Sequence, residues 1–71
     1  MAGLVKRSVN LAGHATSIAL EPEFWAALHA MTAEGSLGAL ITRIDLERGN
    51  RPLASACRVA ALEWSRRTPP E

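Results

Sequence analysis

The chain has 71 residues, a formal net charge of +1 and one cysteine. Its length predicts one small domain. A domain of this size buries only about 60% of the surface that its unfolded chain exposes, so it is marginal as a monomer. A lone cysteine excludes an internal disulfide, and the two histidines lie far apart with no recognisable zinc spacing. We therefore expect oligomerisation to supply the missing stability, with no metal and no cofactor.

Hydropathy and charge bear on where the protein is found and on whether it binds nucleic acid. No basic and apolar leader segment and no apolar run of about 18 residues occurs, which predicts a cytoplasmic protein without a membrane span. The sequence pI of about 8.0 lies below the value of about 9 that small nucleic-acid-binding domains often exceed. Basic residues nevertheless gather near the start and in the last third, around a more acidic middle, and a dimer would double both.

Two stretches alternate apolar and polar residues with a period of two, which is typical of β-strands. The first runs from Val5 to Leu11, where Arg7 interrupts the apolar side, and the second runs from His14 to Leu20. Ala12 and Gly13 between them predict a two-residue hairpin loop, in which a non-glycine first residue is strained. The two strands are therefore expected to form an antiparallel hairpin.

A two-residue loop decides which residues of the hairpin share a face. It pairs Leu11 with His14 and Ser8 with Ser17. One face is then expected to carry Val9, Leu11, Thr16 and Ile18. The opposite face is expected to carry Lys6, Ser8, Asn10, Ala15, Ser17 and Ala19.

Two amphipathic helices are predicted after the hairpin. The first begins at Pro22, whose missing N–H suits a first helical turn, and extends to about Glu34 before Gly35 ends it. Its apolar stripe is Phe24, Leu28 and Met31. Ser36 is predicted to cap the second helix, which ends near Arg48-Gly49. The apolar stripe of this second helix is Leu37, Leu40, Ile41 and Ile44.

A third helix is predicted after the loop Asn50-Arg51-Pro52, capped by Ser55 and running to about Arg67. It is rich in alanine, which permits close approach to other helices and is also the best helix former. We expect one domain over residues 1–67 and a disordered tail over residues 68–71.

One set of segments follows an order that is more specific than periodicity: Thr16 to Phe24, then Glu34 to Leu37, then Leu40-Ile41. A short strand, a helix started by proline, a Gly-Ser junction and a second amphipathic helix in this order resemble the ribbon-helix-helix fold of the Arc and methionine repressors. A longer set of residues resembles small uncharacterised bacterial ribbon-helix-helix domain proteins over roughly residues 6–65. That set is Lys6-Arg7-Ser8-Val9, Leu11-Ala12-Gly13-His14, Thr16-Ser17-Ile18, Phe24-Trp25, Ile44-Asp45 and Ser55-Ala56.

The resemblance implies an α+β fold, here with an N-terminal hairpin and an extra C-terminal helix, assembled as an intertwined homodimer. In such proteins the strands of two subunits pair and enter the major groove, while the N-terminus of the second helix holds a phosphate. The DNA-binding residues would be Lys6, Arg7, Ser8, Asn10, Ala15, Ser17, Ala19, Ser36, Leu37 and Gly38. The dimer interface would be Thr16, Ile18, Leu20, Phe24, Leu40, Ile41 and Ile44.

The sequence departs from this pattern in its reading positions, in its third helix and in the junction between its first two helices. Two alanines among the reading positions cannot bond base edges, which moves recognition to the flanking Lys6, Ser8 and Asn10. A four-stranded dimeric sheet is wider than the ribbon that a major groove accepts, so it can instead lie across the DNA backbone or bind a protein. The third helix exceeds the minimal fold, and covering the dimer and building a tetramer both stay open. The junction Glu34-Gly35-Ser36 is about one residue shorter than usual.

Two functions from different classes remain open. The first is a dimeric DNA-binding protein that regulates transcription, and the second is a protein-interaction module on the same fold, antitoxin-like or an oligomerising adaptor. The polar strand face at Lys6, Ser8 and Asn10 is as compatible with plain solvation as with DNA. Ser36 likewise caps a helix whether or not it binds phosphate.

The chain is not predicted to be an enzyme. No serine, cysteine or carboxylate has a base at motif spacing, and no glycine-rich phosphate loop is present. Cys57 is expected to be a small buried residue, and His14 and His29 to be structural or solvated. Trp25 and Trp64 are expected to anchor the core or an interface.

Overall fold

The computed structural model describes residues 3–32 and 35–67 of the chain. Its elements are β1 (Val5–Leu11), β2 (His14–Leu20), α1 (Pro22–Thr32), α2 (Leu37–Glu47) and α3 (Leu53–Arg67). The predicted α+β fold, with a hairpin in front and an extra helix behind, is confirmed. The predicted end of the first helix at Glu34 and the tail at 68–71 lie outside the described residues. No helix in the described part is long and apolar enough to cross a bilayer.

The hairpin turn has the predicted length and the predicted strain. Ala12 and Gly13 both have positive φ, at 53° and 86°, which is the backbone of a type I′ turn. The left-handed conformation costs an alanine roughly 1 kcal/mol, but this turn matches the twist of the flanking strands. The register therefore follows the prediction, with Leu11 opposite His14 and Ser8 opposite Ser17.

Trp25 fastens the start of β1 to α1. Its Nε1–H donates a hydrogen bond of 2.8 Å to the carbonyl oxygen of Val5, and its indole is 3% exposed. The guanidinium of Arg7 lies 5.3 Å from the centre of the same ring. Arg7 can therefore occupy the otherwise apolar face of β1, because its guanidinium is attracted to the face of the Trp25 ring. The side chain as a whole stays exposed to solvent.

The stripe of α1 is shifted from the prediction. Leu28 is fully buried as expected, but Trp25 takes the inward position at the start of the helix and Phe24 is only half-buried. The carbonyl of Glu21 caps this helix by accepting the N–H groups of Phe24 and Trp25. Pro22 follows in the first turn, where its missing N–H leaves no helical bond unmade.

Serine caps were predicted at the N-termini of α2 and α3, and one of the two predictions is confirmed. Ser36 caps α2, and its Oγ accepts the N–H of Ala39 at 3.1 Å. The prediction that Ser55 caps α3 is wrong, because α3 begins at Leu53 and Ser55 lies inside its first turn. The carbonyl of Pro52 accepts the N–H of Ala56 instead, so the proline itself stands at the helix start.

Two of the three helices cover most of the inner face of the sheet. Helix α2 packs on β1 and helix α3 packs on β2, while α1 packs mainly against α3. The centre of the core is formed by side chains with no solvent exposure, which are Leu20, Leu28, Ile41 and Cys57. One chain thus closes a core by itself, and the intertwined dimer stays a prediction.

Candidate nucleic-acid interface

The outer face of the sheet consists of three cross-strand pairs. The register places Lys6 opposite Ala19, Ser8 opposite Ser17 and Asn10 opposite Ala15. All are exposed except Ala19, which is half-buried. Lys6 is the one charged side chain on this face, and none of the six is acidic. The face therefore offers one cation and several hydrogen-bonding groups on β1, beside a strip of small side chains on β2.

The two outer edges of the hairpin differ in what they present. In a two-residue hairpin, Leu11 and His14 form a hydrogen-bonded pair and such pairs alternate, so the backbone groups of Ser8 and Ser17 point away from each other. On the β1 edge, a Cβ added at Gly38 would lie 4.0 Å from the carbonyl oxygen of Asn10, so α2 approaches this edge closely. The β2 edge carries only alanine and serine among its outward-facing backbone positions, which are Ala15, Ser17 and Ala19.

The N-terminus of α2 has free donors next to the β1 edge. Ser36 Oγ takes the N–H of Ala39, and the Ser36 carbonyl takes the N–H of Leu40. The N–H groups of Leu37 and Gly38 have no hydrogen-bond partner among the described residues. Together with the positive end of the helix dipole, these two groups suit an anion.

A profile of the family described as "Ribbon-helix-helix domain" matches residues 4–65, which is most of the chain. The chain belongs to the ribbon-helix-helix domain family. Proteins of this family generally bind DNA and form dimers. Comparisons with the curated proteins and with the solved structures gave no significant match.

The ribbon-helix-helix geometry brings together most of the predicted DNA-binding residues, but not Arg7. Arg7 stands opposite Ile18, on the face that packs against the helices, and its guanidinium lies over Trp25. Lys6 is its neighbour in sequence but lies on the outer face, as alternation along a strand requires. The role of Arg7 at DNA therefore stays a prediction, while its contact with Trp25 is structural.

The residues predicted to form the dimer interface fall into two groups. Four are buried within one chain and present almost no surface to a second copy, and these are Ile18, Leu20, Ile41 and Ile44. The other three are half-buried and partly accessible, and these are Thr16, Phe24 and Leu40. Contact between copies is thus open to the second group in this conformation.

The remaining candidate residues carry no sign of a reactive centre. Burial raises the pKa of the Cys57 thiol to about 11, which keeps it protonated and unreactive near neutral pH. His14 and His29 are exposed, as expected of solvated histidines. Within residues 3–32 and 35–67, no three His, Cys, Asp or Glu side chains lie close enough to hold a metal ion.

Sequence reasoning missed one surface feature of this domain, a groove between α1 and α3. Phe24 and Val59 line it, and Leu62 stands beside them with 53% of its surface exposed. A signal was available, because Val59 and Leu62 lie three residues apart on one helix, where they share a face. The alanine content of α3 predicted only a helix packed against the core, so the apolar face at Val59 and Leu62 was not predicted.

Proposed function

We propose that this protein is a dimeric DNA-binding protein that regulates transcription. The observation that carries the proposal is the outer sheet face, where Lys6, Ser8 and Asn10 are exposed together without a carboxylate. Membership of a family that generally binds DNA as dimers supports it.

The dimer forms by antiparallel pairing of β2 with β2 of a second copy. The outward backbone groups of Ala15, Ser17 and Ala19 then bond the partner strand around a two-fold axis near Ser17. Two features favour this edge over that of β1. The β1 edge bears the charged Lys6, which discourages strand pairing, and α2 crowds it at Asn10. The outward positions of the β2 edge carry no charged side chain.

The resulting sheet of four strands approaches DNA with its small side chains in the centre and its polar ones at the sides. Its outer strands are three spacings of about 4.8 Å apart, about 14 Å in all, which exceeds the width of a major groove, about 12 Å. The sheet therefore lies across the groove, with its outer strands over the two phosphate walls. Ala15 and Ser17 permit close approach of the central strands. Lys6 of each subunit reaches a phosphate on one wall of the groove, and Asn10 of the same strand offers an amide to the DNA backbone beside it.

The α2 helices hold the DNA backbone on both sides of this sheet. Each N-terminus lies near the edge of β1, which becomes an outer strand of the dimer. The free N–H groups of Leu37 and Gly38 donate to a phosphate oxygen there, and Ser36 holds the helix end in place. These contacts read no bases, so they set position and affinity, not sequence preference.

Binding of a fluorescent random-sequence duplex tests the proposal, with anisotropy measured over a salt series. We expect wild-type affinity to fall steeply with salt, and Lys6→Ala to weaken binding several-fold and lower the salt slope by about 1 for each phosphate that is no longer neutralised. Arg43→Ala is the matched control, because it removes the same charge from an exposed site on α2 that faces the helices. Wild-type affinity that is absent at low salt, or equal weakening in both variants, would contradict the proposal.

The alternative function is a protein-interaction module, antitoxin-like or an oligomerising adaptor. Two observations favour it: the net charge is only +1, and the strip of Ala15, Ser17 and Ala19 offers little for base readout. Purification with a stoichiometric protein partner, together with no DNA binding at low salt, would select this alternative.

A further inference from the structure

A groove of about 330 Å³ runs between α1 and α3 on the surface of the domain. Its walls are mainly apolar, with Phe24 and Ala27 on α1 facing Val59 and Leu62 on α3. Leu62 is 53% exposed, although it belongs to the helix that supplies much of the core. Covering apolar surface of this kind with another protein chain removes it from water, which stabilises the complex.

The position of α3 indicates what covers the groove. Helix α3 packs on β2, whereas α2 packs on β1. If β2 pairs with its copy, β2 becomes an inner strand and β1 an outer one. The helices above the inner strands then lie nearest to the two-fold axis, so α3 of one subunit comes beside α3 of the other.

The groove is also continuous with the end of the strand edge. Glu21 directly follows β2, and its Oε1 accepts a hydrogen bond of 3.0 Å from Nε of Arg58 on α3. The guanidinium of Arg58 lies 5.8 Å from the centre of the Phe24 ring, in the wall of the groove. One contiguous surface therefore extends from the end of β2 across Arg58 to Phe24 and Leu62.

We infer that this groove is the helical half of the dimer interface, occupied by α3 of a second copy of the chain, with Val59 and Leu62 at the contact. The inference rests on the proposed dimer through β2, and it assigns the extra helix a role of its own. The two α3 helices run antiparallel across the axis, as a two-fold requires.

The charges on α3 are compatible with this arrangement. With the axis between Val59 and Leu62, the exposed Arg66 lies beyond the centre and comes opposite Ser55 of the other helix, so no like charges face each other. Sheet and helices would then close the dimer together, which offsets the small core of a 71-residue chain.

Sedimentation equilibrium of Leu62→Glu tests the inference. A carboxylate at the centre of an apolar contact is expected to raise the dimer dissociation constant at least tenfold. Leu46→Glu is the matched control, because Leu46 on α2 is even more exposed, at 79%, and lies outside the groove. Circular dichroism and thermal unfolding establish that both variants fold. Equal dissociation constants for wild type and Leu62→Glu would overturn the inference.

Cross-linking supplies a test that needs no destabilising charge. In a Cys57→Ser background, Leu62→Cys is expected to form a covalent dimer with a short bismaleimide, and Leu46→Cys is not. Cross-linking of both variants, or of neither, would overturn the inference. Failure here is distinct from failure of the proposed function, because DNA binding by the wild-type chain is measured separately. A dimer that binds DNA but does not cross-link through Leu62 would retain the function and lose only the role of α3.

Discussion

The two strands of the hairpin have equal length and strict register, yet they present different chemistry. Strand β1 carries Lys6, Ser8 and Asn10 on its outer face, and α2 approaches its edge. Strand β2 carries only alanine and serine on that face, and α3 packs beneath it. In the proposed function, β1 meets DNA and β2 joins the two copies.

In this proposal, a small domain separates assembly from recognition without a second domain. Small side chains on β2 would let two copies pair closely at the centre of the proposed dimeric sheet. Long polar side chains on the flanking strand keep their reach and discourage pairing through that edge. Substitutions on β2 should therefore affect dimer assembly, and substitutions on β1 should affect DNA binding.

The largest expected effect comes from a proline on the β2 edge. In Ser17→Pro the missing N–H is one that points away from β1, so the hairpin keeps its internal bonds while the partner strand is deprived of a donor. We expect the dimer dissociation constant to rise at least a hundredfold by sedimentation equilibrium. Ser8→Pro is the matched control, because Ser8 pairs with Ser17 and directs its N–H to the opposite edge. Dimers that persist equally in both variants would place the interface elsewhere.

A negative charge on β1 should produce the next largest effect. Asn10→Asp puts a carboxylate on the outer face, which repels phosphate and removes the amide donor, so DNA affinity should fall about tenfold at low salt. Asn50→Asp makes the same change of charge in the exposed loop after α2. Anisotropy should separate the two variants, with Asn50→Asp close to wild type. A similar decrease in both would mean that net charge alone governs binding.

Removing the hydrogen bond between Trp25 and Val5 should weaken the anchoring of β1 to the helices. In Trp25→Phe the aromatic packing is kept, but the Nε1–H bond and part of the attraction for Arg7 are removed. We expect the free energy of unfolding to fall by about 1–2 kcal/mol in urea titrations at fixed protein concentration. Trp64→Phe serves for comparison, since Trp64 is half-buried and donates no hydrogen bond within the described residues. Equal destabilisation would show that ring size, not the bond, matters.

The smallest effect concerns pH and the end of β2. A hydrogen bond from its own backbone N–H, and then one from Arg58, lower the pKa of the Glu21 carboxyl from its ordinary value of 4.5. Because the pKa is lower in the folded state, this contribution to stability is complete above about pH 4.5 and disappears as pH falls through the lowered pKa. The difference in Tm between wild type and Glu21→Gln should therefore shrink between pH 6 and pH 3. A constant difference would exclude this linkage.

The hairpin was predictable from sequence because alternation and the Ala12-Gly13 turn act locally. Its register and the cap at Ser36 follow from short-range rules, and both are confirmed. The inward position of Trp25 depends on contacts distant in sequence, and the start of α3 at Leu53 depends on a choice between competing local signals. Periodicity did not decide between Phe24 and Trp25, because either residue fits a helical stripe with Leu28.

The candidate site was predictable in part for the same reason. Strand alternation placed Lys6, Ser8 and Asn10 on one face, and it also placed Arg7 on the other. The approach of Gly38 to Asn10, which brings the α2 N-terminus beside the sheet, depends on how the helices pack. The groove at Leu62 likewise arises from the meeting of α1 with α3, which no local pattern specifies.

Light scattering coupled to size exclusion, with and without a random-sequence duplex at two salt concentrations, tests the central claim most directly. Without DNA, we expect a mass of about 15 kDa, twice the 7.6 kDa of one chain. With DNA, we expect a larger complex at low salt that separates into its components at high salt. A 7.6 kDa species that elutes unchanged beside DNA at both salt concentrations would contradict both the dimer through β2 and the DNA-binding face of β1.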